Sequence, residues 1–314
     1  MNTQEITVAI KEEGYRLGFD MVGISRAEFL EKEARSLEEW LNQQKHGQMS
    51  WMENHFDKRL DPRLLVPGAK SVISVIHNYL PQEHWQPPQN APKISTYAWG
   101  EDYHKVLKKK LYELFRFIGE KIGTEVPGRV FVDSAPVLEK AWAKRSGLGW
   151  IGKNTNLITP RKGSWFFIGE IILDLDLIYD GAVKDYCGTC TRCIDACPTE
   201  ALEPYKIDAT RCISYLTIEL RENIEDSFSG QMEGWAYGCD ICQEVCPWNR
   251  FATPHPGNEF KPLSFILDFG PRDWEELDEK TFKKLTRFSA MSRIKWQKMK
   301  DNLAKAGKRK PPLT

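Results

Sequence analysis

All eight cysteines of this 314-residue chain fall in two runs. The first is Cys187-x2-Cys190-x2-Cys193-x3-Cys197, followed by Pro198. The second is Cys212, a gap of 26 residues, then Cys239-x2-Cys242-x3-Cys246, followed by Pro247. Thiolates spaced Cys-x2-Cys-x2-Cys-x3-Cys-Pro hold cubane iron–sulfur clusters, the fourth cysteine of each run serving the other cluster. The residue before proline leaves along an extended path, which lets it reach across. Applied here, Cys187, Cys190, Cys193 and Cys246 form one [4Fe–4S] ligand set, and Cys197, Cys212, Cys239 and Cys242 form the other. The implied chemistry is one-electron transfer. Structural zinc would use Cys-x2-Cys pairs but not two Cys-x3-Cys-Pro endings. Disulfides are disfavoured in a reducing cytosol, and charges at Lys11, Glu12, Glu13 and Arg16 interrupt any apolar run of a signal peptide.

Asp133 follows the β-branched run Arg129–Val132 and precedes Ser134 and Pro136, a place where a strand meets a helix. Locally it reads as a shared helix cap. Its chemical reading is a carboxylic acid that delivers a proton, which requires burial to lift its pKa toward neutrality. GLGWIGKN (147–154) is not a phosphate loop, because Asn154 follows the lysine and the glycine spacing is wrong; it remains a tight turn able to bring backbone close to a cofactor. Asp102-x-His104 resembles the start of the Asp-x-His-x-x-Gly signature of some cobalamin proteins. Leu107 stands where the glycine should be, and His104 reads as a satisfied histidine of an amphipathic helix.

Around these residues, apolar spacing predicts helices over 3–17, 30–46 and 102–121. Strands are predicted at 71–76, 129–132, 156–159 and 165–173, and a helix opening at Ser134 and Pro136 and running to Arg145. Residues 81–92, with four prolines, read as loop. The pattern predicts a layered α+β or α/β domain over 1–179, a ferredoxin-like module over 180–255, and a C-terminal segment over 256–314. No run reaches transmembrane length. The stretch between Cys212 and Cys239, containing ISYLTIELR, has room for a helix.

The charges balance at 44 basic and 44 acidic residues, but not locally. Residues 280–314 hold twelve Lys or Arg against one acid, Asp301. Such a basic tail on an acidic body points to a polyanion, nucleic acid being the usual one; a solvated tail or a contact with the chain's own acids is the plainer reading.

FVDSAPVLEKAWAKRSGLGWIGKNTNLI (131–158), WGEDYHKVL (99–107), KRLDPRLLVPGAKSVI (58–73), CGTCTRCIDACPTEAL (187–202), RCISYLTIELR (211–221) and YGCDICQEVCPWN (237–249) together resemble epoxyqueuosine reductase. The similarity runs from about residue 5 to about residue 295; the cysteine runs are shared with many ferredoxins, whereas the Asp-Ser-x-Pro block with GKN downstream is specific. The resemblance implies a cytoplasmic enzyme that uses cobalamin and two [4Fe–4S] clusters; separately, nothing in the sequence demands a dimer or a membrane, so a monomer without membrane contact is expected. It implies reduction of epoxyqueuosine at the tRNA wobble position to queuosine, with an external one-electron donor. It makes Asp133 the proton donor. Arg59, Lys153, Leu157 and Ile168 match positions lining the cobalamin, Ser214 and Asp240 match contacts from the cluster module, and Asn154 is added by adjacency. Cobalamin is expected base-off, without a protein histidine on cobalt. Many relatives continue into helical repeats; this chain ends in a short basic segment. A reductive dehalogenase and a pure electron-transfer module are the competing readings; the basic tail speaks against the first, and the 180 residues before the cysteines against the second.

Overall fold

The computed structural model describes residues 2–160 and 162–307. Helix α1 (Thr3–Arg16) is opened by an Asn2–Glu5 capping box. Strand β1 (Met21–Arg26), helix α2 (Glu31–Asn42) and strand β2 (Ser71–Asn78) follow. Next come α3 (Tyr103–Ile122), capped by the Asp102 carboxylate and ended by left-handed Gly123, then β3 (Gly128–Phe131) and α4 (Glu139–Arg145). A short hairpin, β4 (Trp150–Ile151) with β5 (Leu157–Ile158), leads into β6 (Phe166–Leu173).

The four long strands form one sheet in the order β1-β2-β6-β3, antiparallel at every pairing. The layered domain is therefore α+β. Helices cover both faces: α1 and α3 place Ile6, Ile10, Leu107, Leu111 and Leu114 over Ile73, Val75 and Ile171. On the other side Leu30, Leu37 and Trp142 pack on Val72 and Ile172. With both faces covered, β2 is buried along seven of its eight residues, which is why its sequence shows no alternation. β1 has no strand-like signature in the sequence because Gly23 sits at its centre. A Cβ there would come within 2.0 Å of the Ser146 carbonyl, so the glycine lets the end of α4 close on the sheet.

The helix expected to open at Ser134 and Pro136 starts later, at Glu139, with Leu138 as its cap residue. Proline disfavours the helical region for Ala135, and Asp133 already turns the chain with φ 54°. Ser134 N–H donates back to Val132 O at 2.6 Å and Val137 N–H to Ala135 O at 2.8 Å, giving consecutive tight turns instead of a helical start.

After the cysteine runs the chain turns back on the first domain. Ile94 and Ala98 share a core with Tyr237, Phe265, Trp274, Phe282, Met291 and Met299. Helices α6 (Glu279–Thr286) and α7 (Trp296–Ala306) carry six of the twelve basic residues noted above; α5 is the Ile213–Ile218 helix within ISYLTIELR. Several of these cations meet the chain's own acids: Lys283 with Glu279, Arg293 with Glu219, Lys305 with Asp226. Lys308, Arg309 and Lys310 lie outside the described residues.

Candidate active site and cluster ligands

Two residues after β3 the left-handed turn at Asp133 aims its carboxylate at the first turn of α3. Tyr103 donates its hydroxyl to Oδ2 at 2.8 Å, and His104 Nε2 lies 3.0 Å from the same oxygen. His104 Nδ1 sits 2.7 Å from Asp102 Oδ1. Burial works against charge on His104, but the two flanking carboxylates prevail and raise its pKa to about 9. At neutral pH it is an imidazolium donating from both nitrogens. Asp133 moves the other way from the expectation that burial would lift it. Desolvation does push upward, yet the bonds from His104 and Tyr103 outweigh it and hold the carboxyl below the usual range.

His104 is a satisfied histidine of the amphipathic helix, as expected, but its partners place it in the site. Asp102, as N-cap, and Asp133, across the cleft, fix it from both sides. The usable signal was the pair Asp102-x-His104 at a helix start.

Two further acids adjoin Asp133, neither of them singled out by the sequence. The Asp133 N–H donates to the Glu139 carboxylate. Burial and then the charge of Asp133 raise the Glu139 pKa. Glu170 lies in the sheet opposite Phe131 and Ser74, fully buried, with neither oxygen partnered. Burial, then the charges of Glu139 and Asp133, push it far upward, so it is a neutral acid.

One residue beyond Glu139, Lys140 turns toward a cavity of about 260 Å³. Its Nζ donates to Thr155 O at 3.1 Å and Asn156 Oδ1 at 3.3 Å. The cavity walls hold Cys197, Cys212, Cys239 and Cys242 together with Asn154, Ser214 and Asp240. The other four thiols gather separately. Burial raises Cys193, and the charges of Cys246, Cys187 and Cys190 raise it further; Cys246 responds after burial to Cys187 and Cys190. Crowded thiolates of this kind are stabilised by bound iron. A single zinc, with Zn–S near 2.3 Å, would need thiols about 3.8 Å apart. Among the described residues the group of three close-set ligand atoms, within 4.8 Å of one another, is His77, His255 and Glu259, with no cysteine in it.

The other residues matched by resemblance are placed as follows. Asp240 is buried, accepting from Ser95 Oγ at 2.5 Å and Thr96 N–H at 2.7 Å. Asn154 donates to Cys242 O at 3.2 Å. Lys153 reaches Gly188 O at 2.7 Å and Cys190 O at 3.0 Å. Leu157 is in the small core with Ile76 and Phe166, against which Ile168 packs. Arg59 is buried and donates to Trp51 O at 2.6 Å. Asn154, Ser214 and Asp240 share the cavity; Arg59, Lys153, Leu157 and Ile168 are not on its walls.

Residues 59–134 match the family described as Epoxyqueuosine reductase QueG, DUF1730, and residues 186–249 match the 4Fe-4S double cluster binding domain. An epoxyqueuosine reductase of Leadbetterella byssophila is 57% identical over 296 residues, covering 94% of this chain and 96% of that one. The chain belongs to the epoxyqueuosine reductase family. A member solved with an epoxyqueuosine-modified tRNA-Tyr stem loop superposes with TM-score 0.83 at 29% identity, covering 97% of this chain and 80% of its own. The Bacillus subtilis member, described with its catalytic loop swung out of the active site, gives TM-score 0.84 at 29% identity, covering 97% and 81%. This chain is thus an oxidoreductase that carries a 4Fe–4S double cluster binding domain. Among the described residues no helix is long and apolar enough to cross a membrane.

Proposed function

We propose that this chain reduces epoxyqueuosine in tRNA to queuosine in the cytoplasm, with Asp133 delivering the proton and cobalamin carrying the electrons supplied by two [4Fe–4S] clusters. The observation that carries the reading is the placement of the His104-held Asp133 beside Glu139 and Lys140, the latter lining the same cavity as four of the thiols. Opening an epoxide to an alkene consumes two electrons and two protons and releases water. The clusters pass electrons singly; bound cobalamin supplies two-electron chemistry at cobalt.

The residues fit that cofactor. Both ring nitrogens of His104 are engaged by carboxylates, so it offers cobalt no ligand, in keeping with base-off binding. Asn154, Ser214 and the Asp240 segment would hold the corrin from the cluster side, with Arg59, Lys153, Leu157 and Ile168 assigned by resemblance to its surround. The two thiol groupings support the crossed cluster assignment, with Cys187, Cys190, Cys193 and Cys246 on one cube and Cys197, Cys212, Cys239 and Cys242 on the other. On the protein side, Asp133, anionic at rest, takes a proton from the His104 imidazolium and passes it to the departing oxygen, and the second proton enters from solvent by the same route once His104 is reprotonated, while neutral Glu170 adds no negative charge. An external one-electron donor recharges the clusters, and the chain acts as a monomer.

The test is turnover of tRNA carrying epoxyqueuosine by protein reconstituted with iron, sulfide and cobalamin, alongside its visible spectrum. Queuosine formation with both corrin and cluster absorption is expected. Cluster absorption without corrin binding would sink the cofactor assignment.

A further inference from the structure

Phe288 is a large aromatic side chain left 54% exposed in the loop that follows α6. Its backbone is not loose. The Phe288 carbonyl accepts the Asp102 N–H at 2.7 Å, and the neighbouring Ser289, fully buried, donates its hydroxyl to Ala98 O. Three hydrogen bonds therefore connect Phe288 to the reacting carboxylate: Phe288 to Asp102, Asp102 to His104, His104 to Asp133.

The ring is flanked by cations. Lys105 Nζ and Arg287 Cζ each lie 5.1 Å from its centroid. Neither forms an ion pair among the described residues, unlike Lys283, Arg293 and Lys305 of the C-terminal segment, each of which meets a carboxylate. Lys105 and Arg287 meet an aromatic face instead. One turn along α3 from Lys105, Lys108 reaches Ser134 Oγ at 3.4 Å, next to Asp133. On the same side, Arg293 carries a pKa raised partly by the charges of Glu219 and Asp133. An exposed, backbone-anchored aromatic ring, with two cations beside it that form no ion pair among the described residues, is the arrangement that holds single-stranded nucleic acid: the ring takes a base, the cations take phosphates.

We propose that Phe288, with Lys105 and Arg287, is a base-stacking subsite for an anticodon-loop nucleotide flanking the one that enters at Asp133. This rests on the RNA substrate proposed above and specifies how the surface beside Asp133 holds a splayed loop. An incoming base would displace one cation from the ring, and that cation would then meet the adjacent phosphate. A stacked base is sequence-tolerant, so the subsite positions the loop rather than reading it.

The test uses the full reconstituted protein and an unmodified anticodon stem-loop RNA, with affinity followed by fluorescence anisotropy across a salt series. Phe288→Ala is expected to weaken binding roughly 5- to 150-fold, the range for loss of one base–aromatic stack, with the salt dependence unchanged. Phe288→Trp should bind like the parent. Lys105→Ala should weaken binding and reduce the slope of log affinity against log salt by about one. With epoxyqueuosine-bearing RNA, Phe288→Ala should raise KM more than it lowers kcat. If the parent binds the stem loop and Phe288→Ala binds it equally well, the subsite is wrong while the RNA reading stands. If the parent itself shows no affinity for the stem loop, both fall. Unchanged cluster absorbance and melting of Phe288→Ala serve as the folding control, as expected for a half-exposed side chain.

Discussion

His104 and Asp133 share one hydrogen bond at 3.0 Å, and the opposite ring nitrogen of His104 is tied to Asp102. The consequence is a carboxylate that is anionic at rest but has a proton stored one bond away, in place of a carboxyl kept neutral by burial. That arrangement sets the pH behaviour and the sensitivity of the site to substitution.

Asp133→Asn is expected to retain iron and cobalamin but lose turnover by about 100-fold or more, the usual scale of a general acid. Asparagine also tolerates the left-handed backbone found here, so the variant tests chemistry and not folding. Single-turnover assays measure the effect, and near-normal rates would remove Asp133 from the mechanism.

The proton held by His104 should be lost as pH rises through about 9. Turnover is predicted to fall over that range, and His104→Asn to lower it already at neutral pH and abolish that limb of the profile. Stability follows the same sign. A histidine whose folded pKa exceeds its unfolded value stabilises fully below about 6.5, and the contribution disappears as pH passes the folded value. A pH series of thermal melts, parent against His104→Asn, should therefore converge above about pH 9; parallel curves would show that the ion pair contributes nothing.

Cys197→Ala should cost about one cluster's worth of iron while leaving the other intact. So should Cys246→Ala, although these residues end different runs. Iron and sulfide analysis combined with electron paramagnetic resonance checks this; retention of both clusters in either variant would refute the crossed ligation.

Asp240→Ala should destabilise the protein by about 1–3 kcal/mol, because Ser95 Oγ and the Thr96 N–H would be left as buried donors without an acceptor. Denaturant melts of the reconstituted protein measure it. Asp240→Asn, which keeps an acceptor oxygen, should recover part of the loss.

The sequence made the helices over 3–17, 30–46 and 102–121 visible because their apolar residues repeat at the period of the face they bury. The strand at 71–76 was visible from its β-branched run. β1 was not, since its central glycine answers to a close approach by a distant helix end that no local pattern encodes. The start of α4 was misplaced for a related reason: Ser134 and Pro136 look like a cap and first turn, but the left-handed residue before them redirects the chain. At the site, cysteine spacing disclosed the thiols directly, and Asp133 stood out at a strand end. Glu139 carried no signal, because an acid in the first turn of a helix looks solvated, whereas Glu170 did carry one, as the single charge in the apolar run Phe166–Leu173. The charge asymmetry was legible in sum but not in detail; only the fold shows that Lys283, Arg293 and Lys305 are met by Glu279, Glu219 and Asp226.

The β4–β5 hairpin touches both thiol groups. Trp150 Nε1 lies 3.5 Å from Cys187 Sγ, Lys153 holds the Gly188 and Cys190 carbonyls, and Asn154 holds that of Cys242. Lys140 pins α4 to the same hairpin, while the segment that carries the acid, 133–138, lies outside these bonds. With clusters in place, the route for electrons would keep a length that does not depend on the Asp133 turn. A swing of the Asp133 turn would then interrupt proton supply without draining the reducing equivalents already stored, so the enzyme could wait, charged, for its next tRNA.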